Sequence, residues 1–220
     1  DLGAFCGRQG TTKFRVPYSA LCAWLQRATR TTDIVVGTVV ANRRQSHWQD
    51  VVGYFANTVA LRMDLSDVDT GEQLLHRARR TVCDAYDHQD VPFERVIGAL
   101  KARRAADSPH VFNVMIVWED DPLSDLRLEG LSVRPFPIDD VAVELDLTLL
   151  VVNGVEGLEL VMLYDRALFD GGTVDRMLAQ IEIILMGLIE NPGARLRDLP
   201  LLTQEERQQL LVEWNRSTVD

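Results

Sequence analysis

The region from residue 143 to residue 164 constrains the fold most, because two alternating runs of apolar and polar residues flank a turn dipeptide. Alternation with a period of two is typical of a strand with one buried face. The dipeptide Asn153-Gly154 is typical of a tight hairpin turn. The apolar positions are Val143, Leu145, Leu147 and Leu149, then Leu158, Leu160, Met162 and Tyr164. The pattern predicts an antiparallel hairpin and therefore a β-sheet.

Four further strands are predicted from shorter runs. Residues 33–40 are almost continuously apolar, which is typical of a strand buried on both faces. Residues 53–62 and 111–118 also have strand-like composition. The acidic, proline-containing stretch 119–140 predicts one strand, 126–134, between loops. This stretch lies between two strands and is too long for a tight turn, so we expect it to be a crossover segment that projects from the sheet.

Helical periodicity predicts elements between the strands. We expect Thr11 or Thr12 to cap the first helix, with Pro17 bending it or delaying its start, and Thr173 to cap the last long helix. The predicted helices are 11–29, 70–87, 92–100, 173–190 and 203–212. Because strands and helices interleave, we expect an α/β layer sandwich with a mixed sheet and helices on one face.

Charge and composition argue against several classes of function. The net charge of −10 argues against nucleic acid, because phosphate binding needs a basic surface. Residues 1–62 nevertheless hold eight Lys and Arg against three Asp, so the acidic excess lies in residues 63–220. No apolar run approaches the ~20 residues of a membrane-spanning helix, and the N-terminus lacks a signal peptide.

Histidine and cysteine spacing predicts no metal centre. The four histidines have no HExxH or CxxC companions. Cys6, Cys22 and Cys83 are therefore expected to be small buried residues in a reducing cytoplasm. A serine or cysteine nucleophile is equally unsupported, since no GxSxG motif is present.

Four sequence blocks follow one another along the chain. Residues 52–62, VGYFANTVALR, resemble the pattern (I/V)GxFVNTxxxR, and residues 88–94, HQDVPFE, resemble (H/N)QDxPFE. Residues 104–116 stand where a block of the form RDxSxxPLFQVMF is usual. The fourth block consists of Leu168-Phe169-Asp170 with Thr173, Leu199 to Thr203, and Glu213-Trp214-Asn215. Together they resemble the condensation domain of nonribosomal peptide synthetases.

The resemblance implies a chloramphenicol-acetyltransferase-like fold and amide formation between thioesters. In this family the substrates are tethered to donor and acceptor carrier proteins by phosphopantetheine, and no cofactor binds the domain directly. The catalytic HHxxxDG motif belongs to the N-terminal one of two similar lobes, and no two histidines are adjacent here. We therefore interpret residues 1–194 as the C-terminal lobe, without a catalytic residue, and residues 195–220 as a linker toward an adenylation domain. The family's carrier proteins are acidic, and so are residues 63–220. Overall charge attraction is therefore not expected to drive docking, and any contact with a carrier would depend on a local surface.

Three residues are predicted to line the substrate tunnel. Asn57 places an amide in an otherwise apolar strand, where it either hydrogen-bonds substrate amides or ties two strands together. His88 and Gln89 lie in a block whose main role is expected to be structural, with Asp90 capping the next helix and Val91 and Phe93 in the core. Asp146 is expected to be a strand residue that makes a fixed polar contact.

Three rival functions stay open. An epimerization domain shares the fold, although the FNVMI stretch at 112–116 resembles condensation domains more closely. A degenerate, non-catalytic domain that recruits a tailoring enzyme would lack HHxxxDG upstream. A free-standing acyltransferase is disfavoured by the adenylation-type exit at residues 213–215.

Overall fold

A computed structural model gives the fold in six stretches of chain. The described residues are 2–101, 111–120, 128–131, 143–154, 157–202 and 204–215. Their helices are α1 (Leu2–Gln9), α2 (Arg15–Thr29), α3 (Gly71–Asp87), α4 (Phe93–Lys101), α5 (Gly171–Glu190) and α6 (Gln204–Gln208). Their strands are β1 (Asp33–Val40), β2 (Asn57–Asp64), β3 (Val114–Asp120), β4 (Leu147–Asn153) and β5 (Leu158–Tyr164). Two 3-10 turns, Ser46–Trp48 and Leu196–Asp198, and a π-helical turn, Gln209–Glu213, complete the elements.

The five strands form one mixed sheet in the order β2-β1-β3-β4-β5. Strand β3 runs parallel to both β1 and β4, whereas β4 and β5 are antiparallel. Parallel neighbours need a crossover connection, and the connection from β1 to β3 contains β2, α3 and α4. The predicted α/β class and mixed sheet are therefore confirmed.

The predicted hairpin is confirmed as the β4–β5 pair, with two corrections at its ends. Strand β4 begins at Leu147, so residues 143–146 precede the ladder instead of extending it. Asn153 is the last residue of β4 and pairs with Leu158. Backbone bonds in both directions pair Gly154 with Gly157, so Asn153-Gly154 lies before the turn instead of at its centre.

Two compact units share the chain, and each has its own buried core. The first contains the described residues of Asp1–Ile34, Met63–Arg80 and Gly171–Asp220, and the second those of Val35–Arg62 and Thr81–Asp170. In the first unit α2 packs on α5, and Trp24 donates a hydrogen bond of 3.0 Å to Gln180. Its fully buried side chains include Phe5, Tyr18, Leu21, Leu74, Ile181, Ile184 and Leu188.

The second unit is centred on the sheet. Ile116, Leu149 and Val151 are fully buried on its central strands. The close approach of a ring to β1 requires Gly37, because a Cβ there would collide with Phe112. Phe112 in turn packs against Phe93 of α4, with ring centroids 5.5 Å apart. The aromatic pair therefore joins the first turn of α4 to the sheet.

The helix limits correct two capping predictions. Helix α2 begins at Arg15, beyond Thr11 and Thr12, so neither threonine caps it. The helix start is later than residue 11, as the Pro17 prediction allowed, and Pro17 lies in the first turn, where a missing N–H costs no helical hydrogen bond. Helix α5 begins at Gly171, so Thr173 lies inside the helix and its hydroxyl accepts a hydrogen bond from Arg176. Helix α1 was not predicted.

Strand starts and one whole strand also differ from expectation. Residues 52–56 precede β2, and β3 begins at Val114 instead of residue 111. Within the predicted strand 126–134, the described residues 128–131 form a turn closed by a 3.1 Å bond from Leu131 N–H to the Leu128 carbonyl. The rest of that strand, and most of the predicted crossover, lies outside the described residues.

The cysteine prediction is confirmed for two of three positions. None of the three forms a disulfide, and Cys6 and Cys22 are buried, whereas Cys83 is exposed on α3. Burial raises the pKa of the Cys22 thiol to about 12, against a smaller opposing effect of its hydrogen bond with Tyr18. Cys22 is therefore a protonated core side chain at neutral pH.

Candidate functional site

The HQDVPFE block forms a short connection between α3 and α4. Helix α3 ends at Asp87 and α4 begins at Phe93, so residues 88–92 must connect the two helices within five residues. Backbone bonds from His88, Gln89 and Val91 to carbonyls three residues earlier shape this turn. Pro92 precedes α4, where its lack of an N–H costs no helical bond.

The side-chain amide of Asn57 binds this connection at three points. Its Nδ2 donates hydrogen bonds of 2.8 Å to the carbonyls of Gln89 and Val91. Its Oδ1 accepts a 3.3 Å bond from the N–H of Phe93. Both amide donors and one acceptor site are thus used within the protein. This geometry favours the structural interpretation of Asn57, in which the first residue of β2 ties the two signature blocks together.

Two side chains of the block have partners or environments other than those expected. Asp90 forms a 2.6 Å ion pair with Arg44, both partly exposed, and the first N–H of α4 is served by Asn57 instead. The predicted capping role of Asp90 is therefore wrong. Val91 is exposed, so its predicted place in the core is wrong as well, whereas Phe93 does pack against Phe112.

The other two predicted tunnel residues are held by the last turn of α3. Nδ1 of His88 lies 2.7 Å from the carbonyl of Asp84 and donates to it, since a carbonyl only accepts. Nε2 of Gln89 donates a 2.8 Å bond to the carbonyl of Tyr86. These bonds fix the direction of both side chains relative to α3. Nε2 of the His88 ring is then left as the acceptor of the neutral tautomer.

A cleft of about 420 Å³ lies against β2, α3 and α4. His88 lines it, whereas neither Asn57 nor Gln89 is among its lining residues. Arg62, Asp84 and His88 bring charged or polar groups to a mostly apolar wall. The lining residues are Thr58, Val59, Ala60, Arg62, Thr81, Asp84, Ala85, His88, Val91, Phe93 and Val96.

The cleft follows the outer edge of the sheet. Among the strands of the described residues, β2 is the first in the order and has β1 as its one neighbour. Thr58, Val59 and Ala60 are consecutive and all line the cleft. Arg62 lines it too, so the alternating residues Thr58, Ala60 and Arg62, which share one face of β2, border the cleft together with Val59. An edge strand offers backbone N–H and C=O groups to a ligand.

The loop before β2 is organised by Arg43, which the motif analysis did not single out. Its guanidinium donates to the carbonyls of Trp48, Val51 (2.8 Å) and Gly53 (3.1 Å). It also lies 4.3 Å from the ring centroid of Phe55, a cation–π distance. Adjacent arginines in the polar stretch before the block were the available signal, but spacing alone does not reveal three carbonyl partners.

The predicted fixed contact of Asp146 is confirmed. Its Oδ2 accepts a 2.8 Å hydrogen bond from Nδ2 of Asn113, and its carbonyl accepts a 3.1 Å bond from the N–H of Asp165. Asn113 is the residue at which the third block departs from the usual Gln. The side-chain amide of Asn113 therefore has a carboxylate partner in this chain.

Two other kinds of feature are absent from the described stretches of chain. These stretches contain no group of three or more His, Cys, Asp or Glu side chains arranged to hold a metal ion. None of their helices has both the length and the apolar character needed to cross a membrane.

Comparison with known sequences identifies the family. The family model described as Condensation domain matches residues 1–211. One of the linear gramicidin synthase proteins of Brevibacillus parabrevis is 34% identical over 224 residues, covering 100% of this chain but only 4% of that protein. Malpinin synthetase of Mortierella alpina is 36% identical over 208 residues, covering 94% of this chain and 3% of that protein.

Solved structures agree with the sequence comparison. The X-domain from teicoplanin biosynthesis superposes with a TM-score of 0.77 at 26% identity, covering 91% of this chain and 46% of that chain. The X-domain in the complex of X-domain and OxyB gives 0.74 at 29% identity. The first condensation domain of the calcium-dependent antibiotic synthetase, at 18% identity and a TM-score of 0.71, supports the fold alone.

The chain thus spans less than half of these solved domains and a small part of the synthetases that it matches. Its mixed sheet and helices form the chloramphenicol-acetyltransferase-like α/β fold that the sequence blocks implied. The chain belongs to the condensation domain family of nonribosomal peptide synthetases.

Proposed function

We propose that this chain is the C-terminal lobe of a condensation domain that joins two carrier-tethered thioesters through an amide bond. The observation that carries the proposal is the cleft along the edge of β2, beside the two signature blocks. Family membership and the coverage of about half of a solved domain support it. The N-terminal lobe, two carrier proteins and a following adenylation domain are the proposed partners.

In the proposed reaction, the α-amine of the acceptor attacks the thioester carbonyl of the donor. The new C–N bond forms, the C–S bond breaks, and the donor's pantetheine thiol leaves. A histidine outside this chain would position the amine or stabilise the tetrahedral intermediate. This lobe contributes a wall that holds the reacting chains in place, which by itself lowers the entropic part of the barrier.

The β2 edge suits a tethered substrate because a pantetheine arm is an extended chain with two secondary amides. Such amides can pair with the backbone of Thr58 to Ala60 as an added strand does. The cleft volume lies within the range of small-molecule sites. Of the proposed tunnel residues, His88 would contact the chain directly. Asn57 and Gln89 would act by holding the connection that carries His88.

Filling the cleft tests this proposal. In the intact condensation domain, Ala85→Phe introduces a ring into the cleft, and Ala99→Phe places the same ring on the exposed face of α4. With loaded donor and acceptor carriers, we expect Ala85→Phe to lower dipeptide formation by at least ~10-fold, about 1.4 kcal/mol of barrier. Ala99→Phe should stay near wild type.

The melting temperatures of the two variants separate a blocked cleft from a misfolded lobe. Equal rates in folded Ala85→Phe and wild-type domains would show that the cleft takes no part in the reaction. Loss of activity that follows loss of folded protein in both variants would argue the same, because the cleft would then have no specific effect.

A second candidate is a non-catalytic recruitment domain. The specific observation is that the two X-domain structures match at 26% and 29% identity, and one of them is a complex with OxyB. In this case the lobe would bind a tailoring enzyme. An upstream lobe with an intact HHxxxDG motif and measurable dipeptide formation would exclude this alternative. An upstream lobe without the motif, in a domain that retains such an enzyme, would establish it.

Two further attributes are part of the proposal. We place the lobe within residues 1–194, with a connection to an adenylation domain in residues 195–220. We also propose a cytoplasmic location, which the three free cysteines support because disulfides are rare there.

A further inference from the structure

The chain does not leave the first unit directly at the end of α5. After Glu190 it returns along the start of α3, where Glu72 N–H donates 2.7 Å to the carbonyl of Pro192 and Gly71 N–H donates 3.1 Å to that of Ala194. These are donors of the first turn of α3, which have no partner within their own helix. The returning segment therefore serves as the cap of α3.

Gly71 permits this close contact. A Cβ at that position would lie 2.7 Å from the Pro192 carbonyl oxygen and 2.8 Å from a methyl group of Leu188. A further backbone bond of 2.8 Å joins the N–H of Leu196 to the carbonyl of Asp69. The contact is thus built along several consecutive residues.

Arg27, in the final turn of α2, makes the last hydrogen bonds that hold the returning segment. Its guanidinium donates to the carbonyl of Leu196 and, at 2.6 Å, to that of Leu199. The side chains of Leu196 and Leu199 are buried. Burial lowers the pKa of Arg27, with the charge of Asp198 acting in the opposite direction. The half-buried guanidinium of Arg27 therefore holds the first residue of the 3-10 turn Leu196–Asp198 and the residue that follows it.

Leu199 is the last residue that these hydrogen bonds hold. Pro200 and Leu202 are exposed, and the next element is the short helix α6. We infer that Arg27 is a clamp that fixes the point at which the chain leaves this unit, at Leu199. Any domain that follows would then be tethered from residue 200, not from residue 195. Five fewer free residues shorten its reach by up to ~17 Å, which narrows the positions that the next domain can sample.

Hydrogen exchange of the full chain tests the clamp. Arg27→Met keeps the apolar stem but removes every donor, and Arg27→Lys keeps the charge but replaces the two-pronged fork by one ammonium group. Arg197→Met is the matched control, because Arg197 lies exposed in the same segment. Its ion pair is long, with 3.8 Å between Nε and Oδ1 of Asp198. The amides of Leu196 and Leu199 are the reporters, since both N–H groups donate to carbonyls.

We expect these two amides to exchange at least ~10-fold faster in Arg27→Met, with a smaller increase in Arg27→Lys. The amides of Ile181 to Leu188 in α5 should keep their protection in both. Unchanged exchange at Leu196 and Leu199 would overturn the clamp. So would an equal loss of protection in α5, or failure of both variants to fold, because Arg27 would then support the whole core. Equal effects of Arg197→Met and Arg27→Met would exclude a specific role for the fork.

Discussion

Replacing Asn57 by alanine separates the two roles that its amide can play. The substitution removes two donors that face the carbonyls of Gln89 and Val91, and one acceptor that faces the N–H of Phe93. If Asn57 acts through these backbone groups, the variant loses stability and the connection between α3 and α4 loses order. If it acts on substrate amides, activity falls without that loss.

The magnitude follows from the number and exposure of the bonds. A typical intramolecular hydrogen bond contributes about 0.5–1.5 kcal/mol net. The two bonds at 2.8 Å are partly open to water and the third is long, so we expect a total loss of about 1–3 kcal/mol. For a protein of this size, each kcal/mol lowers the melting temperature by about 2–4 °C. Asn57→Ala should therefore melt about 2–12 °C lower.

The assay combines thermal unfolding and hydrogen exchange of the 220-residue chain with dipeptide formation in the intact domain. Asn113→Ala is the comparison variant, because that side chain makes a single 2.8 Å bond to Asp146. We expect Asn57→Ala to destabilise more than Asn113→Ala and to speed exchange at Val91 and Phe93. A melting temperature within about 1 °C of wild type, together with a collapse of dipeptide formation, would refute the structural role and restore direct substrate contact.

Two further predictions concern the core. Gly37→Ala should destabilise by about 1–3 kcal/mol because the new methyl group meets the Phe112 ring, whereas Gly98→Ala, with open space around its Cα, should be neutral or stabilising in urea unfolding. Cys22 keeps its proton in the folded state up to about pH 12 but loses it near pH 9 when unfolded. Stability should therefore fall as pH rises above 9, and the fall should be smaller in Cys22→Ala. In native protein a thiol reagent should label exposed Cys83 and spare Cys22.

The elements that the sequence predicted well are those in which local pattern and final environment agree. Strand β1 has the predicted limits because its apolar run is buried on the sheet. The hairpin was predicted because alternation and Asn153-Gly154 both act over a few residues. Strand β2 was predicted to begin too early, since the aromatic residues before Asn57 have high β propensity. The carbonyl bonds of Arg43 hold them in a loop instead.

The candidate site was predictable only as a set of residue names. The blocks identified Asn57, His88 and Gln89, but the partners of Asn57 lie 32 to 36 residues away along the chain and are backbone groups. No side-chain pattern encodes a bond to a backbone carbonyl, because every residue type has one. The cleft along β2 was missed for the same reason, since its distinctive wall is a strand edge.

The hydrogen bonds of Asn57 make residues 52–62 and residues 88–94 depend on each other in different ways. The first block contributes a side chain, so the identity of Asn57 matters for the bonds that it makes. The second contributes carbonyls from Gln89 and Val91, and the side chain of Val91 is exposed. The second block must therefore supply a backbone path more than particular side chains, and Pro92 restricts that path by fixing its own φ. Loss of the turn would move His88 together with the cleft wall, even though no substrate-facing atom had been changed.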